Sequence, residues 1–273
     1  MVTREDFHYN FLKNVIIRLD FQGVLETEMD KVLVLIKPFA KERGFSKYVE
    51  KNTKQIDIAF TNNETPESIE TTNKIRNQKV YSFIDENRGF ALGVSNTFVC
   101  LQINTVHYVP FDEYCDIIPI VSDFYKNSID FFSVTRFGIR KINECLIENK
   151  NEIGYYFNPS YFNFYNCIEE ADTIQSNHVN IFKCGEYHVN LITNIPQGKF
   201  EGNPLYSVRL DIDTYLDKSE EILLLLSESG KMTEMNDLIF KIYTSSLTDK
   251  FISLLTSDDN FDNTIMRGVE RND

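Results

Sequence analysis

The chain has 273 residues, of which 42% are hydrophobic and 25% are charged, so it is long and apolar enough to bury a substantial core. Its net charge of -13 and pI near 4.8 argue against a binder of nucleic acid or of anionic membranes, because both require a surplus of basic residues. The composition is that of a globular protein.

The cysteines form neither a CxxC pair nor a cluster with histidines, which argues against a disulfide framework and against a zinc site. We therefore expect reduced thiols at Cys100, Cys115, Cys145, Cys167 and Cys184. The N-terminus lacks the apolar run of a signal peptide, and no segment is apolar over the ~18 residues of a membrane span. The sequence predicts a cytoplasmic protein without membrane contact.

The first half begins with an alternating pattern over Phe11 to Phe21 that predicts a half-buried strand. From Glu26 to Ala40 the apolar residues recur at helical spacing, which predicts a helix that Pro38 is expected to kink or shorten. Gly44 lies where a helix would end.

A strand over Gln55 to Phe60 is followed by a polar stretch, Thr61 to Gln78, which we predict to be a surface loop. Three runs, Lys79 to Ile84, Gly89 to Val94 and Thr97 to Tyr108, predict an antiparallel meander.

Pro110 opens a predicted helix, interrupted at Pro119, that leads into the central strand Phe131 to Asn143. Further strands are predicted over His178 to Cys184, Tyr187 to Ile195 and Leu205 to Asp213, with turns at Gly185-Glu186 and at Pro196 to Pro204. A helix is predicted from Lys231. The segment Ser219 to Ser229 fits either a helix or a buried strand, and Ser219 with the two glutamates after it favours a helix, whereas the segment after Thr256 has no core pattern.

These elements predict an α+β fold with two similar strand-helix-meander-helix halves, residues 1–129 and 130–256, and a flexible tail at 257–273. The halves would form a curved, mostly antiparallel sheet with helices on one face. The outer strands of such a sheet are exposed edges, and pairing them across a two-fold axis predicts a homodimer.

The strand residues that point away from the core are polar, so the helix-free face of the sheet is the candidate site for a protein partner. The candidate residues are Arg18, Arg136, Arg140, His188, Arg209 and Asp211. The alternative is that these side chains form cross-strand ion pairs that solvate an open sheet. Gly138 lies between two of the arginines and predicts a bend or a close approach to the backbone.

The aromatic run Tyr155 to Tyr165 either belongs to the core or lines an apolar pocket. His178 and His188 flank a turn, but they lack a carboxylate or cysteine at ligand spacing, so we predict no metal site and no cofactor. The motifs GxxxxGK[ST], GxGxxG and HExxH do not occur. We therefore favour a protein without catalytic activity, and an enzyme with paired acids remains open.

Two segments carry a resemblance to a known family. The stretches VTRFGIRKIN and LDIDTY, with the later helix NDLIFKIYTSSLTDKF, resemble a sporadically distributed family of bacterial proteins found in mobile-element and phage-defence gene neighbourhoods. Lys141 stands where that family's central strand usually has an aromatic residue. The resemblance implies an accessory role.

The function expected from these observations is that of a non-enzymatic binding protein, a sensor or partner subunit of a phage-defence or mobile-element system. The alternative is a small-ligand-binding protein with an apolar pocket between the sheet and its helices, near Tyr155 to Tyr165.

Overall fold

The computed structural model describes residues 2–62, 69–105, 109–162, 175–201, 203–258, 266–267 and 270–271. They form the predicted α+β structure, in which helices cover one face of a large antiparallel sheet. We call the other side of this sheet the open face. Among the described residues, no helix is long and apolar enough to cross a membrane.

In the described part of the chain, 9 long strands build the sheet. They are β2 (Leu12–Gln22), β3 (Lys47–Asn62), β4 (Ile69–Asp85), β5 (Phe90–Val94), β6 (Phe98–Asn104), β7 (Ser133–Ile147), β8 (Gln175–Cys184), β9 (Tyr187–Phe200) and β10 (Asn203–Leu216). Short strands are β1 (Tyr9–Asn10), β11 (Met266–Arg267) and β12 (Glu270–Arg271). The helices are α1 (Met29–Glu42), α2 (Ile117–Ser128), α3 (Ile153–Tyr156), α4 (Ser219–Ser227), α5 (Ser229–Ser245) and α6 (Asp249–Leu255).

The strand order β3-β4-β5-β6-β2-β7-β10-β9-β8 makes one continuous sheet from both parts of the chain. β2 and β7, the first long strands of the two predicted halves, pair with each other at its centre. Each half then extends outward, to β3 on one side and to β8 on the other. The central strand predicted from the sequence is therefore the seam of the sheet.

The core lies between the sheet and the helices, and its residues follow the predicted periodicities. On β2 the alternating residues Val15, Ile17 and Leu19 are buried, while Arg18 and Asp20 lie on the open face. On α1 the buried residues recur at helical spacing and end with Ala40. Burial of these apolar side chains is the main contribution to the stability of the fold.

Several breaks that the sequence predicts in helices and strands are absent. α1 continues through Pro38, which lies on its exposed side, and Pro119 falls within the first turn of α2, where a missing N–H costs little. The prediction of a surface loop over Thr61 to Gln78 is wrong at both ends, because both ends lie in strands: β3 runs to Asn62 and β4 begins at Ile69. Residues 63–68 lie outside the described part.

The turn predicted between Pro196 and Pro204 is also much shorter than expected. β9 continues to Phe200 and β10 resumes at Asn203, with the intervening Glu201 at a φ of 51°. The two strands pair on both sides of this turn, so the hairpin ladder outweighs the weak strand preference of proline and glycine.

The segment 257–273, predicted to be a flexible tail, contributes two short strands in its described part. β11 pairs with the end of β7, and β12 pairs with β1 near the N-terminus. The two strands thus connect this segment to the central sheet and to the N-terminal residues.

Candidate functional site

The predicted site residues lie on the open face, around the seam of the sheet. β7 contributes Arg136 and Arg140, and β10 contributes Arg209 and Asp211. Arg18 lies on β2, the other neighbour of β7, and His188 lies on β9, beyond β10. The structure therefore brings four of the six candidates together on two adjacent strands.

Arg140 and Asp211 form a two-pronged ion pair on this face. Nε of Arg140 donates to Oδ1 at 2.7 Å and Nη2 donates to Oδ2 at 2.6 Å. The side chain of Asp211 is only 5% exposed, whereas that of Arg140 is 40% exposed. Asp211 raises the pKa of Arg140 further, so the guanidinium stays charged. Arg209 approaches the same carboxylate at 3.8 Å.

Arg136 occupies a second paired position. Its Nη2 donates to both carboxylate oxygens of Asp213, at 3.1 and 2.8 Å, and its guanidinium lies 4.6 Å from the ring centre of Tyr215. A Cβ added to Gly138 would lie 3.0 Å from Nη1 of Arg136. Gly138 is therefore the point where a guanidinium lies close against the backbone of the strand.

The two remaining candidates also have partners within the protein. Arg18 donates from Nε to Asp20 at 2.8 Å and lies over the ring of Phe98. The ring of His188 stacks on Tyr215 at 5.2 Å. Each arginine of the predicted site therefore contacts an aspartate of this chain, which is the arrangement expected for a charge ladder that solvates the sheet.

The other side of the sheet contains a pocket that the sequence reasoning did not locate. It lies between β7, helix α5 and the residues that precede β2, and its cavity volume is about 80 Å³. We call it the Lys141 pocket. Its lining residues are Arg4, Phe7, Asn10, Leu12, Lys141, Asn143, Ile239, Phe240 and Tyr243.

Aromatic rings form the walls of the Lys141 pocket. Phe7 packs edge-on against Phe240 at 5.8 Å and against Tyr243 at 5.9 Å between ring centres. Tyr243 in turn packs against Phe11 of the core at 5.2 Å. These contacts hold the N-terminal residues against α5, so the pocket is built by parts of the chain that are far apart in sequence.

Two side chains of the pocket, Arg4 and Tyr243, carry polar atoms that lack hydrogen-bond partners. Nη1 of Arg4 lies 2.7 Å from Asp237, but Nε and Nη2 of Arg4 are buried and have no hydrogen bond. The hydroxyl of Tyr243 is likewise buried and unpaired. Burial raises the pKa of Tyr243, so the hydroxyl keeps its proton. Buried polar groups are almost always hydrogen-bonded in proteins, so each of these calls for an explanation.

Lys141 projects from the core side of β7 and donates from Nζ to Oδ1 of Asn236 at 2.6 Å. Burial, together with a smaller effect of the positive charge of Arg4, lowers the pKa of Lys141 to about 7. The amine can therefore gain or lose its proton near neutral pH. A lysine with such a pKa beside unpaired donors is typical of a functional site.

One signal in the sequence could have located this residue. Alternation along β7 puts Phe137 and Ile139 on the core side, and the same parity assigns Lys141 to that side. A lysine at a core position of a central strand is unusual. The partners Arg4 and Tyr243 could not be found in this way, because no local pattern relates them to β7.

The aromatic run from Tyr155 mainly builds the core in its described part. Tyr156, Phe157 and Phe162 are buried, and Phe157 packs against Phe251 of α6 at 5.2 Å. Residues 163–165 of the run lie outside the described residues. The Lys141 pocket lies between the sheet and a helix, as the alternative hypothesis requires, but it is lined by other residues than the run.

The histidines are not brought together by the β8–β9 hairpin. His178 pairs with Thr193, whereas His188 pairs with Lys183. Within the described ranges, no three histidine, cysteine or acidic residues are close enough to hold a metal ion. Cys100, Cys115, Cys145 and Cys184 are free thiols.

No family model and no curated protein matches the chain. Among solved structures, the chain is compared with the RNA triphosphatase Pct1 from S. pombe at 7% identity and a TM-score of 0.12, over 92% of this chain and 87% of that chain. The same enzyme in complex with the Spt5 CTD gives 8% identity and a TM-score of 0.12, over 92% and 87% of the two chains.

Proposed function

We propose that this protein binds a small ligand in the Lys141 pocket. The observation that carries the proposal is the pair of unpaired polar groups, on Arg4 and Tyr243, in a cavity with aromatic walls. Ligand sites in proteins combine a mostly apolar lining with a few convergent polar groups, and this pocket has that composition.

The energetic cost of these unpaired groups also favours a ligand. A buried polar group without a partner costs about 1–3 kcal/mol of folding free energy, and this pocket contains such groups on two neighbouring side chains. A ligand that accepts hydrogen bonds from them would recover part of that cost. Binding would therefore stabilise the folded protein.

Thermal unfolding in the presence of a library of small acids, alcohols, amides and nucleotides tests this proposal. A ligand raises the melting temperature by mass action, with about 2.7 kcal/mol of stabilisation at 100 times its Kd. Phe240→Ala removes one wall of the pocket and should reduce the shift. Phe131→Ala, which removes a phenylalanine that is 84% exposed and outside the pocket, is the control and should leave it unchanged. Failure of every compound to shift the wild-type protein, or equal shifts in Phe240→Ala, would refute the proposal.

A second candidate function is the binding of a protein partner at the open face, as a sensor or partner subunit of the kind that the resemblance implies. The observation in its favour is an apolar patch on β8, the last strand of the sheet. Val179 and Ile181, which lie on the open face of β8, are 58% and 71% exposed. Exposed apolar residues on an edge strand are typical of interfaces, including those between two copies of one chain.

The variant Val179→Lys/Ile181→Lys tests this second candidate without altering the core. If the patch binds a partner, the variant should lose a protein that the wild type recovers from its host, and if the partner is a second copy, light scattering should show a monomer. The control is Val34→Lys, at a residue of α1 that is 69% exposed. Identical recovery and identical mass for all proteins would count against the patch.

A further inference from the structure

We infer that the ligand of the Lys141 pocket is a small carboxylate with an apolar or aromatic body, and that its carboxylate binds the free edge of Arg4. The inference rests on the proposed function and adds the chemical class of the ligand. It follows from which atoms of the pocket are unpaired, what geometry they have, and what surrounds them.

The unpaired atoms of Arg4 form one edge of its guanidinium. Nη1 is used by Asp237, whereas Nε and Nη2 lie side by side, buried and without hydrogen bonds. Two parallel donors on one edge match the two oxygens of a carboxylate. The same edge of Arg140 binds the carboxylate of Asp211 at 2.7 and 2.6 Å in this protein. Arg4 therefore has an unpaired edge of the same kind that binds a carboxylate at Arg140.

The balance of donors and acceptors also favours an anion. Arg4 supplies N–H donors, Tyr243 supplies a hydroxyl that keeps its proton, and Lys141 supplies an amine. The carboxylate of Asp237 is 58% exposed and contacts Nη1, away from the edge formed by Nε and Nη2. The charge of Arg4 already meets Asp237 at Nη1 and the ring of Phe240 at 4.8 Å, and a carboxylate would add a partner at Nε and Nη2, whereas a cation would be repelled.

The walls define the rest of the ligand. Phe7, Phe240 and Tyr243 present ring surfaces, and Leu12 and Ile239 add aliphatic surface. A short apolar or aromatic body can pack on these walls while its carboxylate contacts Arg4. Sugars and nucleotides would bury hydroxyl groups against apolar surface, at a cost in desolvation.

Binding of an anion should also change the protonation of Lys141. Because burial lowers the pKa of the amine to about 7, a nearby negative charge will favour its charged form and the protein will take up protons on binding. Linkage between binding and titration limits this uptake to less than one proton per ligand and makes it depend on pH.

Calorimetric titration with matched acids and amides tests the inference on the wild-type protein. The probes are benzoate, phenylacetate and butyrate, each paired with its neutral amide. At least one acid should bind, and its amide should bind about 10- to 100-fold more weakly, the range of a charge-assisted hydrogen bond. Arg4→Ala and Arg4→Lys should lower the affinity by a similar factor, because lysine keeps the charge but lacks the two-pronged edge. Arg209→Ala, on the opposite face of the sheet, is the matched control and should have no effect.

The outcomes separate the inference from the proposed function. Equal binding of acids and amides would refute the carboxylate while leaving a ligand pocket in place, as would a library ligand without an acid group when none of the acids binds. Absence of binding by every acid, amide and library compound would refute both. Acids that bind Arg4→Ala as tightly as the wild type would show that they occupy another site. Tyr243→Phe, which removes a single hydroxyl, provides a second variant if Arg4→Ala does not fold.

Discussion

Replacement of Lys141 by methionine should change how the stability of the protein depends on pH. Methionine has a similar length and no titratable group, so the variant removes the amine while filling most of its space. In the folded protein burial lowers the pKa of Lys141 from 10.5 to about 7. Between these two values, the unfolded chain holds a proton that the folded protein has released.

The sign of the effect follows from this difference. The free energy of unfolding rises with pH wherever the unfolded state binds more protons, with a maximum slope of about 1.4 kcal/mol per pH unit for one group. The cost of burying Lys141 is fully present below pH 7 and disappears as the pH approaches 10.5. Integration from pH 7 to pH 9 gives a gain of about 2 kcal/mol for the wild type relative to Lys141→Met.

Urea unfolding of both proteins at pH 6, 7, 8 and 9, followed by circular dichroism, measures this difference. Groups other than Lys141 titrate alike in the two proteins and cancel when the curves are subtracted. The difference between wild type and variant should be nearly flat below pH 7 and should rise above it. Parallel curves from pH 6 to pH 9 would show that the amine is solvated and charged in the folded protein, which would refute the reasoning about the pocket.

Three further predictions concern stability, each measured by the same urea unfolding. Tyr243→Phe removes a buried hydroxyl that has no hydrogen bond, so the free energy of unfolding should rise by about 1 kcal/mol, and a loss of that size would contradict the unpaired state. Arg140→Ala leaves the buried carboxylate of Asp211 with only Arg209 at 3.8 Å and should cost about 3 kcal/mol, whereas Arg209→Ala should change stability by less than about 0.5 kcal/mol; equal costs would contradict the pairing described. Gly23→Ala places a Cβ 1.8 Å from a backbone oxygen of the segment between α2 and β7, at a φ of +87°, and should cost more than about 2 kcal/mol; a neutral result would contradict this contact.

Much of the fold could be predicted from the sequence because burial imposes a period on the chain. The alternation of Val15, Ile17 and Leu19 predicts the strand β2, and helical spacing predicts α1 and α5. The ends of β3 and β4 were missed because their sequence is polar, and pairing with a neighbouring strand carries the chain through it. A continued hairpin depends on a partner strand, which no local pattern reveals.

The two candidate sites differ in how far the sequence could predict them. The residues of the open face could be predicted from the alternation along each strand, since residues that alternate with core residues must face the other side of the sheet. Arg136, Arg140 and Asp211 lie on that side. Their pairing with aspartates of the same chain depends on the register between β7 and β10. The Lys141 pocket depends on the packing of Arg4 against α5, more than two hundred residues away in the chain. Of its lining residues, only Lys141 could be singled out from the sequence, by its position on the core side of β7.

A crystal structure of the protein with the tightest-binding acid would test the account most directly. The account predicts that the carboxylate oxygens lie within about 3 Å of Nε and Nη2 of Arg4, with the body of the ligand against Phe240 and Tyr243. An acid bound to the arginines of the open face, with the Lys141 pocket holding only water, would contradict it.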